Sequence, residues 1–212
     1  MVPTGRGPDT RTRILDAAER LIAEAGIDAA SMRAVTTAAK VNLAAVNYHF
    51  GSKESLVVAV YARRLRPLNE ERLRGLDAAE AAAAPNPPAL DAVLRSLIEP
   101  TLRQVHASGA DGQIVLRLLG RCLNEPGSWL RELLATEMDP LIARYTMALG
   151  RCLPELPQVE LYWRIHFAAG AMTYTLSQGH KLEHMSKGAC ELGDVEGTTR
   201  RLVQFAAAGM RA

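Results

Sequence analysis

The sequence predicts an all-α protein, and three observations carry that prediction. Apolar residues recur at three- and four-residue spacing from about residue 14 to residue 210, as helices with one buried face require. No stretch alternates apolar and polar residues with the period of two that marks a half-buried strand. Prolines, glycines and short polar clusters cut the periodic stretches into pieces of helical length. A chain of 212 residues, 48% hydrophobic and 23% charged, buries one good core plus a small one and reads as globular.

Residues 1–8, with two prolines and two glycines, read as a tail. The first helix begins at Asp9 or Thr10; Ile14, Ala17, Ala18, Leu21, Ile22 and Ala25 fall at helical spacing, and Gly26 supplies the stop. Its leading end, with Arg11 and Arg13, comes within reach of a phosphate. Residues 31–53 then form two short helices around a tight turn. Ser31 caps the first, whose apolar face is Met32, Val35, Ala38 and Ala39. Lys40-Val41-Asn42 makes the turn, with Val41 as the plug and Asn42 as the cap of Leu43–Phe50. If the turn needs a positive φ at Lys40, it carries strain or widens.

Gly51 breaks the chain, and Ser52 caps a long helix from Lys53 through Leu56, Val60, Leu65 and Leu68 towards Leu76, kinked at Pro67. Residues 77–88, alanine-rich and closing in Pro85-Asn86-Pro87-Pro88, read as a loop or hinge. Five further helical segments are expected at about 89–107, 112–124, 127–150, 157–180 and 194–210.

The net charge of +2 is small but localised. Residues 1–53 hold seven Lys/Arg against five Asp/Glu, and the rest holds 18 of each sign. The surplus therefore lies with the two short helices, as a DNA-facing tip would have it. Cys122, Cys152 and Cys190 are an odd, widely spaced set. They fit free, mostly buried thiols in a reducing cytoplasm. No apolar run reaches the roughly 18 residues of a membrane span.

Thr37-Ala38-Ala39, Val41 and the run Val46-Asn47-Tyr48-His49-Phe50-Gly51-Ser52-Lys53-Glu54-Ser55-Leu56 resemble the DNA-binding domain of TetR-family transcriptional regulators. The resemblance implies a three-helix helix-turn-helix head at residues 1–52. Residues 53–212 would then be the linker helix plus a helical ligand-binding and dimerisation domain. It also implies a homodimeric, ligand-responsive repressor of double-stranded operator DNA, with no cofactor beyond its effector. The family has glycine in the turn where Lys40 stands.

By position in that pattern, Tyr48, His49 and Lys53 would clamp phosphates, with Ser31 and Thr36 adding backbone contacts. Arg33 matches a base-reading position and suits guanine O6 and N7. Leu43, Ala44 and Asn47 would face the groove behind the Asn42 cap. Competing readings make Tyr48 an ordinary packed aromatic, His49 a cap or core residue, Lys53 a solvated charge and Phe50 pure core.

Leu116–Gly120, Glu160–Phe167 and Phe205–Arg211 resemble a narrower branch of fatty-acid-responsive repressors of β-oxidation genes. That implies a long-chain fatty acid or acyl-CoA in an apolar cavity. Arg117 and Arg121 are candidates for its head group, with Tyr145, His166 and Tyr174 behind them. The family's dimer interface would fall on the helices at 157–180 and 194–210, and Trp163 and Phe167, on the first of them, would form pocket wall or interface. The structural alternative pairs Arg117 and Arg164 with Glu137 or Glu160. A second functional reading makes the cavity a sensor of drug-like or aromatic ligands controlling an efflux gene. An enzyme is disfavoured. His49, His106, His166, His180 and His184 show no metal or triad spacing, and Glu183 is misplaced for a His-Glu-x-x-His site.

Overall fold

The computed structural model describes residues 9–106, 110–124 and 127–212; the expected tail at 1–8 lies outside them. The helices are α1 Thr10–Ala25, α2 Met32–Ala39, α3 Leu43–Phe50, α4 Lys53–Ala83, α5 Leu90–His106, α6 Ala110–Asn124 and α7 Trp129–Leu133. A single π-helical turn, Leu134–Met138, follows. Then come α8 Asp139–Cys152, α9 Gln158–Ser177, α10 Gly179–Met185 and α11 Val195–Arg211. No strand occurs among the described residues.

The chain divides into two compact units, residues 1–64 with 117–134, and residues 65–116 with 135–212. In the first, Ile14, Ala18, Ile22, Val35, Val46, Leu56 and Val60 are fully buried. Each large aliphatic side chain so buried contributes about 1.5–3 kcal/mol. Burial in α1 departs from the expected stripe: Leu15, Glu19 and Ala23 are inside, and Ala25 is exposed. Glu19, 4% exposed, is reached by both Arg63 and Arg64, and Asp16 bonds Arg63 at 2.6 Å. These pairs tie α1 to the start of α4. Tyr61 stacks parallel on Trp129, ring centroids 4.9 Å apart, and donates to the Leu118 carbonyl.

In the second unit α5 lies along α11, and α9 packs on α8 and α11. Val93, Leu94, Ile98, Leu102, Leu149, Val203 and Ala207 make the core. Ion pairs Arg95–Glu196 and Arg211–Asp91 join α5 to α11 at the surface.

Several expectations are corrected. The alanine-rich stretch is helix to Ala83, so only 84–89 remains as connection. Alanine has the highest helix propensity, and Asp77 and Glu80 hold Arg144 of α8. As expected, the long helix continues past Pro67. The segment at 127–150 is interrupted by the π turn, and that at 157–180 restarts after Gln178. Ala38 is exposed, Phe50 is half-buried under the Arg11 guanidinium, and Cys190 is exposed.

Candidate DNA-binding site

The helix-turn-helix is assembled by caps. Ser31 Oγ accepts from the Ala34 amide at 3.2 Å and opens α2; Asn42 Oδ1 accepts from the Ala45 amide at 2.8 Å and opens α3. Each side chain satisfies a backbone donor that the first helical turn leaves free. At the end of α2, Lys40 takes the left-handed conformation, φ 53° and ψ 49°. Its amide donates to the Thr37 carbonyl and that of Val41 to the Thr36 carbonyl. This is the Schellman arrangement, which usually employs glycine. Lysine closes it at the cost of left-handed strain.

One residue absent from the expected set holds this turn. Arg13, from α1, donates through Nη2 to the carbonyl oxygens of Ala39 at 2.7 Å and Lys40 at 2.9 Å. Its charge answers the negative end of α2. Arg13, expected within reach of a phosphate, makes a structural bond here, and the Arg11 guanidinium lies 5.4 Å from the centre of the Phe50 ring. A sequence signal existed in the α1 arginine itself, but its partner lies 26 residues away.

Val46 is the buried anchor of α3, and Gly51, at φ 74°, ends the helix on the Asn47 carbonyl. Around the rest of α3, Leu43, Ala44, Asn47 and Tyr48 are all exposed, Tyr48 by 85%. His49 is half-buried with its ring edge-on to Tyr48, centroids 5.2 Å apart. Lys53 sits at the first position of α4 with Nζ 3.2 Å from Asp28 Oδ1. On α2, Arg33 is exposed and its carbonyl accepts from the Thr36 and Thr37 hydroxyls. The tip thus presents a phenol, an imidazole, an amide, an ammonium and a guanidinium on or beside two capped helices. Each can donate to phosphate oxygens or base edges.

The residues expected around an effector fall in both units. Arg117 is exposed, and Arg121 reaches the Glu24 carbonyl at 3.5 Å, both in the first unit. Tyr145, in the second, is buried; its hydroxyl meets Ser96 Oγ at 2.9 Å and donates to the Arg72 carbonyl. Burial pushes this phenol above its ordinary pKa. Trp163, His166, Phe167 and Tyr174 are exposed on α9, where Trp163 stacks on Phe167. The ion pairs of the structural alternative are replaced too: Glu137 bonds Arg66, and Arg164 donates to the Met210 carbonyl. No group of three metal-ligating side chains occurs among the described residues.

Residues 14–60 match the family model "Bacterial regulatory proteins, tetR family", and residues 95–209 match "Tetracyclin repressor-like, C-terminal domain". The HTH-type nicotine-responsive transcriptional repressor HdnoR of Paenarthrobacter nicotinovorans is 38% identical over 72 residues, 34% of this chain and 37% of that protein. A TetR-family transcriptional regulator from Bordetella parapertussis aligns with a TM-score of 0.63 at 17% identity, covering 94% of this chain and 95% of that one. The fatty acid degradation regulator FadR from Bacillus halodurans aligns with a TM-score of 0.58 at 17% identity, covering 98% and 99%. At these identities the structural likeness shows a shared fold.

Proposed function

The chain belongs to the TetR family of bacterial regulatory proteins, and from that membership we propose that it is a homodimeric repressor released from operator DNA by a small acyl effector. The observation that carries the DNA-binding role is the exposed face of α3, held by two side-chain caps and a buried Val46 and closed by Tyr48. Eight residues make only about two helical turns, too few to hold alone, so this helix depends on the head around it. Such support is wasted on a mere surface loop but is needed to keep a reading surface rigid in the major groove.

In this reading Tyr48, His49, Lys53, Ser31 and Thr36 contact phosphates, and Arg33, Leu43, Ala44 and Asn47 meet base edges, with Asn42 setting the start of α3. Lys53 exchanges Asp28 for a phosphate on binding. Residues 1–52 act as the head and 53–212 as linker and effector domain. Dimerisation falls to α9 and α11, where Trp163, Phe167, Tyr174 and Phe205 are more than half exposed. Large apolar side chains left open on two neighbouring helices ask for a partner surface. Two heads so joined reach successive major grooves about 34–36 Å apart. Effector binding shifts the population to a head spacing that no longer fits. Support for the acyl effector comes from the resemblance of Leu116–Gly120, Glu160–Phe167 and Phe205–Arg211 to the fatty-acid-responsive branch.

A second reading keeps the repressor but gives it a drug-like or aromatic effector, favoured by the identity shared with a nicotine-responsive repressor. Fluorescence anisotropy on the DNA upstream of the protein's own gene tests both, with and without oleoyl and palmitoyl ligands. Salt-sensitive binding that Tyr48→Ala abolishes and acyl ligand weakens is the expected result. Binding indifferent to acyl ligands but weakened by planar amines would select the second reading.

A further inference from the structure

Arg72, on α4, is 5% exposed, yet its hydrogen-bond partners among the described residues are all neutral. Nε donates to the Leu97 carbonyl at 3.1 Å, Nη1 to Asn69 Oδ1 at 3.0 Å, and Nη2 to Thr101 Oγ1 at 2.6 Å. A guanidinium has five N–H donors, so two are left over among the described residues. Burial brings its pKa down to about 10, opposed by the phenol of Tyr145 and by no carboxylate. Other arginines of this unit, Arg66, Arg95, Arg103, Arg144, Arg151 and Arg211, each pair with Asp or Glu. The buried carboxylate of Glu137 is taken by Arg66.

Irregular backbone lies near Arg72 on α4, on α5 and in the π turn. Pro67 interrupts the bonding of α4 and Pro100 that of α5, each removing one backbone donor. The Asn69 amide donates at 2.7 Å to the carbonyl of Glu137, inside the π turn. Tyr145, on α8, completes the knot through its bond to the Arg72 carbonyl. Isolated π turns concentrate at functional sites. The knot is set among fully buried apolar residues of the same helices, Leu76, Leu102 and Leu149.

A neutral amide could make the same struts to Leu97 and Thr101. The charge is what those bonds leave unexplained, because a buried cation without a counter-ion is costly and such groups gather at ligand sites. We infer that Arg72 is the anchor for an anionic group of the effector, a carboxylate on an apolar body. The two remaining N–H donors receive it, beside the hydroxyls of Thr101 and Tyr145. This rests on the reading of the chain as an effector-responsive regulator. It moves the anchor from Arg117 and Arg121 to the core of the second unit, and it sets the site against cationic amines and dyes.

Isothermal calorimetry on the full chain tests it with two charge series, octanoate, 1-octanol and octylamine, and benzoate, benzyl alcohol and benzylamine. At least one acid is expected to bind about tenfold or more above its alcohol and amine, the worth of one charge-assisted hydrogen bond. Arg72→Gln, which keeps a donor and loses the charge, should bind that acid and its alcohol alike. Arg72→Lys should keep the preference, and it decides the matter should Arg72→Gln melt out in circular dichroism. Equal binding across both series, preference for an amine, preference surviving in Arg72→Gln, or binding of neither acid overturns the inference. Operator binding without ligand is measured separately. Its loss alongside a retained acid preference would sink the regulator reading and leave the anchor supported.

Discussion

The guanidinium of Arg13 lies 2.7 Å from the carbonyl oxygen of Ala39, so the first helix of the head grips the last residue of α2. The same nitrogen bonds the Lys40 carbonyl and thereby braces a left-handed lysine. Arg13 therefore braces the turn from which α3 begins. Arg13→Ala is expected to weaken operator binding about tenfold, the equivalent of one lost charge-assisted bond. The salt dependence of binding should keep the wild-type slope, because no phosphate contact is removed. A slope reduced by about one unit would instead make Arg13 a phosphate ligand.

Lys53 behaves in the opposite way. Its Nζ is held by the exposed Asp28 carboxylate, a surface pair of little intrinsic worth. Asp28→Asn should raise operator affinity by a few-fold at low salt, since a competing anion is removed. Lys53→Met should lower affinity and cut the salt slope by about 0.9. Anisotropy titrations at three ionic strengths check both.

Lys40 occupies a conformation that favours glycine. Lys40→Gly should relieve about 1 kcal/mol of strain and raise Tm by roughly 2–4 °C for a chain of this size. A melting curve measured by circular dichroism reads the shift. An unchanged or lower Tm would mean that the Arg13 brace already absorbs the strain.

Trp163 and Phe167 stack on one another with 54% and 62% of each residue open. Phe167→Glu should place a charge in the dimer surface and leave the monomer fold intact. Sedimentation velocity is expected to show monomer at concentrations where the wild type is dimeric. Operator affinity should fall at least tenfold because each head then binds alone. A variant that stays dimeric would remove α9 from the interface.

Glu19 is nearly inaccessible and serves two arginines at once. Glu19→Ala removes the carboxylate that both arginines reach and should cost about 1–3 kcal/mol. Urea unfolding with an unchanged m-value measures it. A loss below about 1 kcal/mol would place the pair among surface bridges.

Most features governed by near neighbours could be read from the chain before it folds. The 3.6-residue period marked the helices, and capping chemistry marked where α2 and α3 begin, with Ser31 and Asn42 bonded to the amides three residues on. Gly26 and Gly51 ended helices because only a residue without a Cβ adopts their positive φ at no cost. Where two local tendencies competed, the sequence alone misled. Residues 77–83 looked like a hinge beside three prolines, but alanine propensity and the Arg144 ion pairs carried the helix onward. Pro67 and Pro100 stand inside helices that continue on either side of them, at the cost of one missing bond each. The long-range partners were set by packing. Arg13 meets a turn 26 residues ahead, and Arg164 meets a carbonyl 46 residues ahead. Arg72 enters a core with no carboxylate beside it. Long charged side chains reach many places, and burial chooses among them by what stands opposite after the helices have packed.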